Sequence, residues 1–170
     1  MGRRVVLSLL FTVLASGMLR ANDPPLAPTI QEPEVDGQIV NPFDVHMETS
    51  AFSDPDPGDL LFCADYEIRE IATGELVWSG PCLTGLESLH AHFGDGTFIG
   101  SLGGATELLP ETEYELRVRH RDNSGDVATE WSPWASRLFE TGPLTQVFPL
   151  EGDDVLDGSS PTWVESGTGA

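Results

Sequence analysis

The chain has no lysine, and its strongly basic side chains are eight arginines set against 28 acidic residues. The formal net charge is therefore -20 at pH 7. Binding to nucleic acid or to an anionic membrane surface requires basic side chains that displace counterions from phosphate groups. The composition argues against both classes of partner, and it suits a protein that stays soluble outside the cell.

Long apolar runs are scarce beyond the amino terminus. Arg3 and Arg4 precede an apolar run over residues 5–14, and either Ala15-Ser16-Gly17 or Leu19-Arg20-Ala21 supplies the cleavage region. This order predicts a secretory signal peptide over residues 1–21, with a retained anchor helix as the alternative. No later segment is long enough to span a membrane. We expect a secreted, periplasmic or cell-surface protein. Cleavage of the signal peptide removes three arginines and no acidic residue, so the net charge changes from -20 to -23.

Cysteine is almost absent, since Cys63 and Cys82 are the only two. An exported protein meets an oxidising compartment, so a disulfide between them is the expected state. A structural zinc site normally takes four ligands, and two thiols alone do not supply them.

A sustained apolar period of 3.6 is also missing, and this counts against a helical fold. Pro110 follows Leu109 and lies four residues before Tyr114, which suits a corner whose tyrosine hydroxyl bonds back to the loop backbone. From Tyr114 onward the side chains alternate with the period of a strand that has one buried and one wet face. The inward set is Tyr114, Leu116, Val118 and His120, and the outward set is Glu115, Arg117, Arg119 and Arg121.

This segment resembles the corner between the fifth and sixth strands of fibronectin type III domains. The sequence Trp131-Ser132-Pro133-Trp134 is similar to the Trp-Ser-x-Trp-Ser signature of some of them, with Ala135 in place of the last serine. The resemblance implies an all-β, fibronectin type III-like (immunoglobulin-like) antiparallel β-sandwich over residues 33–142. A Pro-rich lead-in, 22–32, precedes it, and an acidic linker or the start of a missing domain, 143–170, follows.

Arginine and tryptophan side chains are expected to interleave on the outer face of this sheet. Arg117, Arg119 and Arg121 point away from the core side, and a polyproline-like twist through Pro133 can present Trp131 and Trp134 to the same face. Each cation–π contact contributes roughly 0.5 to 2 kcal/mol. We favour a structural ladder, and a ligand-binding platform is the alternative.

Residues 63–71 and 75–79 flank Thr73-Gly74 and read as a hairpin. If Ala72 and Glu75 close its turn, Arg69 lies opposite Trp78, and this pair extends the ladder. Cys63 and Cys82 then share a face but are offset by two residues, so that their bridge needs a bulge or a longer turn.

Two groups of residues could ligate metal. Asp54, Asp56 and Asp59 lie in a proline-stiffened loop, but the spacing of an EF-hand is absent, and a solvated acidic turn is favoured over a calcium site. His90 and His92 share a face of an extended segment, and His46 is available from another strand. Packing or surface hydrogen bonds are the favoured role for these histidines, because no further ligand is identifiable.

No nucleophile elbow, phosphate-binding glycine loop or His-Glu-x-x-His motif is present. We therefore expect no cofactor and a non-catalytic interaction or spacer module that contacts extracellular protein or carbohydrate. The alternative follows from a wider resemblance of the region from Pro33 onward to amino-terminal segments of large exported bacterial proteins, such as quinone-dependent sugar dehydrogenases. On that hypothesis the chain is the accessory front end of an enzyme.

Overall fold

The computed structural model describes residues 21–144, so nearly all of the expected signal peptide and of the expected linker lies outside the described residues. Regular structure in this range consists of strands and three short 3₁₀ turns. No helix within it is long and apolar enough to cross a membrane. The strands are β1 (Ile30–Glu32), β2 (Gln38–Val40), β3 (Met47–Thr49), β4 (Leu61–Glu70), β5 (Leu76–Leu83), β6 (His90–Ala91), β7 (Thr97–Phe98), β8 (Glu113–Asp122) and β9 (Ala135–Thr141). The 3₁₀ turns are Gly85–Ser88, Phe93–Asp95 and Gly100–Leu102.

Two sheets form the sandwich. One has three strands in the order β1-β3-β6, and the other has six in the order β2-β9-β8-β4-β5-β7. Every pairing is antiparallel except that of β2 with β9, which is parallel. The predicted immunoglobulin-like β-sandwich is thereby confirmed. Strand β1 falls within the Pro-rich lead-in, so the folded unit includes residues that precede Pro33.

Strand β8 lies at the centre of the larger sheet, between β4 and β9. Its even-numbered residues from Tyr114 to His120 are fully buried, and the odd-numbered residues between them are partly exposed. A strand directs successive side chains to opposite faces, so this one segment supplies both the core and the outer surface. The period-2 reading of residues 114–121 matches the observed burial.

The register of the β4–β5 hairpin differs from the one predicted. Glu70 and Glu75 close the turn, because the Glu70 amide donates to the Glu75 carbonyl at 2.9 Å. Trp78 consequently lies opposite Ile68 and not Arg69. A slip of one residue moves a side chain to the other face of a sheet, and Trp78 is fully buried in the core. The prediction that Trp78 extends the outer ladder is therefore wrong.

Trp78 is held in the core by its polar atom and by a close backbone approach. Its indole Nε1 donates to the Phe93 carbonyl at 3.2 Å, which satisfies the one donor that this ring carries. Gly96 packs so tightly against the ring that a Cβ atom there would collide with Trp78 Cζ2 and with the Ser79 carbonyl. The site therefore requires a glycine at this position.

A bulge near the end of β5 brings the two cysteines together. The pairing shifts by one residue between Tyr66–Gly80 and Ala64–Leu83, and Cys82 adopts a left-handed φ of 49°. The Cys82 amide, turned out of the ladder, donates to Asp65 Oδ1 at 2.8 Å. Cys63 and Cys82 form a disulfide with their Cα atoms 4.9 Å apart. The expected bridge is present, and the bulge that the predicted offset required is what allows the two cysteines to meet.

The tyrosine corner joins β8 to the loop before it. The Tyr114 hydroxyl accepts a hydrogen bond from the Leu109 amide at 3.1 Å. The carbonyl of the same residue, Leu109, accepts from the Thr141 hydroxyl at 2.6 Å. Pro110 continues the turn and accepts from the Thr112 hydroxyl at 2.9 Å. The corner thus fixes where β8 begins relative to the end of β9.

His120 connects the two sheets through the core. Its Nε2 atom lies 3.3 Å from the Thr49 hydroxyl of β3. Burial lowers the pKa of His120 to about 4, so the ring is neutral at pH 7. A neutral imidazole is compatible with the apolar surroundings that a charged one would disrupt.

The disulfide should contribute measurably to stability. Closure of a loop with a sequence separation of 19 stabilises by roughly 3 kcal/mol. We expect the Cys63→Ala/Cys82→Ala variant to unfold at a lower denaturant concentration by that free energy. Mass spectrometry of the unreduced protein should show a mass lower by two hydrogens than after reduction. Two free thiols in that sample would contradict the assignment.

Tyr114→Phe should lower the free energy of unfolding by roughly 1 to 3 kcal/mol while the fold is retained, because the Leu109 amide loses its acceptor in a partly buried place. Denaturant midpoints and far-ultraviolet circular dichroism measure the two effects. Coinciding midpoints for the variant and the parent protein would show that this hydroxyl does not hold the corner.

Candidate binding face and histidine cluster

A continuous row of rings and guanidinium groups crosses the outer face of the six-stranded sheet. The Arg119 guanidinium lies 4.1 Å from the Trp131 ring centroid and 4.5 Å from that of Trp134. Arg117 lies 4.7 Å from Trp134, and Arg121 lies 5.7 Å from Trp131. The structure thus brings together five of the seven residues predicted for the ladder, without Arg69 and Trp78. We call this surface the ladder face: Arg117, Arg119, Arg121, Trp131 and Trp134.

Carboxylates of the neighbouring segments neutralise this row. Arg119 donates to Asp65 Oδ2 from Nε at 3.0 Å and from Nη2 at 2.6 Å. Arg121 Nη2 donates to Glu130, a largely buried carboxylate, at 2.6 Å. Each such bond is charge-assisted and partly shielded from water, so it holds its arginine in place more firmly than an exposed ion pair would.

The tryptophans are positioned by an irregular segment that pairs with β8. Trp131 forms an isolated bridge with Arg121. The Ser132 hydroxyl accepts from the His120 amide at 3.0 Å and donates to the Pro133 carbonyl at 2.9 Å. The Ser132 side chain therefore takes the hydrogen bond that a backbone carbonyl would accept in a regular strand. Trp131 and Trp134, on either side of Ser132-Pro133, are directed to the outer face.

Arg69 and Phe62 also lie on this face. The Arg69 guanidinium donates to Glu67 at 3.0 Å and to the Gly74 carbonyl at 3.4 Å. Phe62, which the sequence did not single out, lies 5.0 Å from the Arg121 guanidinium and extends the row at one end. Sequence pattern alone hides Phe62, because the pairing of β4 with β8 is irregular between Leu61 and Cys63.

The acidic loop contains the three carboxylates singled out as calcium candidates. Asp54, Asp56 and Asp59 each place an oxygen within 4.8 Å of the others. Asp56 Oδ2 accepts from the Asp23 amide at 2.6 Å, and Asp54 Oδ1 accepts from the Asp56 amide at 2.7 Å. Partial desolvation, followed by the nearby negative charges, raises the pKa of Asp59. Backbone amides thus use part of the oxygen set that calcium would need, and the solvated turn remains a prediction.

A second polar cluster lies at the three-stranded sheet. The ring centroids of His46 and His92 are 4.7 Å apart, and His90 lies 4.7 Å from His92 and 5.5 Å from His46. Asp44 Oδ1 lies 3.2 Å from His92 Nδ1, and Glu32 lies 3.5 Å from His46 Nδ1. We call this set the histidine cluster: Glu32, Asp44, His46, His90 and His92.

Charge within the cluster is strongly coupled. Burial alone would raise the pKa of Asp44, but bonds to His46 and His92 outweigh it and hold that pKa well below its usual range. The bond to Asp44 in turn raises the pKa of His92. Asp44 therefore stays ionised and gives the cluster a fixed negative centre.

The sequence placed the three histidines near one another but missed both carboxylates. The spacing Asp44-Val45-His46 was the available signal for Asp44, because residues two apart lie on the same side of an extended chain. Glu32 carries no such signal, since it comes from β1 and meets His46 only through sheet pairing.

No protein-family model matches the chain, and no curated protein matches it. Among solved structures, an α-L-rhamnosidase from Dictyoglumus thermophilum is similar over 70% of this chain and 12% of its own, with 17% identity and a TM-score of 0.48. Module A71 of titin from human cardiac muscle is similar over 71% of this chain and 90% of its own, with 17% identity and a TM-score of 0.40.

Proposed function

We propose that this chain is an exported, non-catalytic immunoglobulin-like interaction module that contacts extracellular protein or carbohydrate through the ladder face. The observation that carries the proposal is the row of half-exposed arginine and tryptophan side chains on the outer sheet. Trp and Arg are the residue types most enriched where protein surfaces bind tightly. Exposed apolar side chains, Phe62 and Leu138, lie on the same side of the sheet.

The stacking geometry favours a protein as the partner. Each tryptophan ring of the ladder face contacts two guanidinium groups. A ring that already stacks on guanidinium groups has less free face for a sugar, and it offers its edge and the rims of the guanidinium groups. Such a surface, with Phe62 and Leu138 beside it, suits the apolar and hydrogen-bonding contacts of a protein interface. Carbohydrate is the alternative partner, and the experiment below tests both.

Export is supported by two features. The amino-terminal residues have the order of a signal peptide, and the domain carries a disulfide of the kind that persists in oxidising compartments. Both agree with a place outside the cytoplasm, secreted, periplasmic or on the cell surface.

The alternative function is an accessory region ahead of a catalytic domain in a larger exported enzyme, such as a quinone-dependent sugar dehydrogenase. A reading frame that continues past Ala170 into a catalytic domain would favour it. The ladder face would then be the surface that contacts the catalytic domain. The variants described in the next paragraph would then weaken the contact between these two domains of one chain.

Binding by the ladder face can be measured with the labelled, secreted module on intact cells of the producing organism and on a glycan array. We expect saturable binding to cells, removed by prior protease treatment of the cells. The variant Phe62→Ser/Leu138→Ser should weaken it at least tenfold, because it removes two apolar side chains that the interface would bury.

A matched control removes two equally apolar side chains elsewhere. Leu86 and Val127 are each 84% exposed and lie in the Gly85–Ser88 turn and in the loop after β8, so that Leu86→Ser/Val127→Ser should leave binding unchanged. Equal losses in both double variants, or saturable binding to glycans alone, would contradict a protein-binding ladder face.

A further inference from the structure

The histidine cluster lies on the face of the three-stranded sheet that points away from the core. Met47 of β3 and Ala91 of β6 are paired and fully buried. Their sequence neighbours His46, His90 and His92 therefore point to the opposite face. This surface belongs to the other sheet from the ladder face, and nothing in the proposed interaction role uses it.

We propose that Asp44, His46 and His92 form a binding site for a divalent metal ion of the zinc class. The ligand atoms would be one Asp44 carboxylate oxygen, His46 Nε2 and His92 Nδ1. Two imidazole nitrogens and a carboxylate oxygen are a donor set that zinc accepts, whereas calcium and magnesium prefer oxygen alone.

The spacing of these atoms already fits such an ion. One ligand atom from each of the three residues lies within 4.8 Å of the other two. Asp44 Oδ1 lies 3.2 Å from His92 Nδ1, and the other oxygen, Oδ2, lies 3.6 Å from His46 Nε2. Ligands held at about 2.0 to 2.2 Å in a tetrahedron are separated by about 3.3 to 3.5 Å. The ion would therefore draw one Asp44 oxygen and the two nitrogen atoms from within 4.8 Å of one another to these separations.

Glu32 supplies the outer contact that a ligating histidine normally has. Its Oε2 atom lies 3.5 Å from His46 Nδ1, the nitrogen that the proposed ion does not use. The negative charge of a carboxylate this close favours a proton on Nδ1, and Nε2 is then unprotonated and can bind the metal. His46 is largely buried, so its ring orientation is set before any ion binds.

His90 is the neighbouring imidazole for the fourth position. Its ring centroid lies 4.7 Å from that of His92 and 5.5 Å from that of His46. A four-coordinate site with His90 would be closed and structural, and a water molecule in its place would leave the site open.

An ion here would cross-link a weakly connected part of the fold. Strands β1, β3 and β6 contain only three, three and two residues, so few backbone hydrogen bonds hold this sheet. Asp44 and His46 come from the segment leading into β3, and His92 directly follows β6. Metal binding would join these segments and raise the melting temperature of the domain.

The test is calorimetric titration of the metal-free module with zinc chloride at pH 7.5. We expect one zinc ion per chain and an increase in melting temperature. Asp44→Asn and His92→Asn should each weaken binding at least tenfold. Asp56→Asn is the matched control, since it removes a carboxylate from the acidic loop and should leave the affinity unchanged. Thermal unfolding of each metal-free variant establishes that it is folded.

A second measurement uses the unaltered protein and so does not depend on the folding of any variant. The chain has four histidines, and nuclear magnetic resonance of their ring nitrogens should show zinc-dependent shifts for His46 Nε2 and His92 Nδ1 and none for buried His120. Glu32→Gln, a change in a positioning residue, should weaken zinc binding about tenfold and alter the tautomer signal of His46.

Absence of saturable zinc binding would overturn the proposal. So would affinity that is unchanged in both Asp44→Asn and His92→Asn, since the ion would then lie elsewhere on this acidic chain. Binding abolished by excess calcium would also contradict it, because a nitrogen-rich site discriminates against calcium.

Discussion

Strand β8 faces the apolar core with one set of alternate residues and the solvent with the other. The rest of the domain is arranged around that constraint. The inward side chains of β8 close the core, and its outward arginines would be unfavourable on a bare sheet without partners. Strand β4 supplies these partners in register, because Asp65 lies opposite Arg119 and Glu67 lies opposite Arg117. Opposite charges directly across an antiparallel pair stabilise it, so that one alignment of two strands settles both faces.

Asp65 also ties this alignment to the covalent bridge. One of its oxygens accepts from Arg119, and the other accepts from the Cys82 amide in the bulge. The disulfide, the bulge and the ladder face therefore share one carboxylate. The result is a firm six-stranded sheet with its arginines on the outside, opposite a small sheet whose outer face collects histidines and acids. The two surfaces differ in chemistry, and each can serve a separate role.

The sequence predicted the features that depend on local pattern. The alternation in β8 and the Pro110-to-Tyr114 spacing lie within short segments, so periodicity and turn chemistry were sufficient. Trp78 was misplaced because register depends on which residues close a turn, and one residue exchanges the two faces. Glu32 and Asp65 were missed because their roles arise only from pairing between distant segments. Strand β2 is held by its pairing with β9. Its three residues are too few to show a strand pattern in the sequence.

The alignment of β4 with β8 couples Asp65 to Arg119 as a structural pair. A double-mutant cycle with Asp65→Ala and Arg119→Ala measures this directly, since the separate losses of the Cys82 bond and of the ring contacts cancel in the cycle. We expect a coupling free energy of about 1 to 3 kcal/mol at moderate salt, because the half-buried guanidinium makes two charge-assisted hydrogen bonds to one carboxylate oxygen. Additive effects, with coupling below about 0.3 kcal/mol, would contradict it.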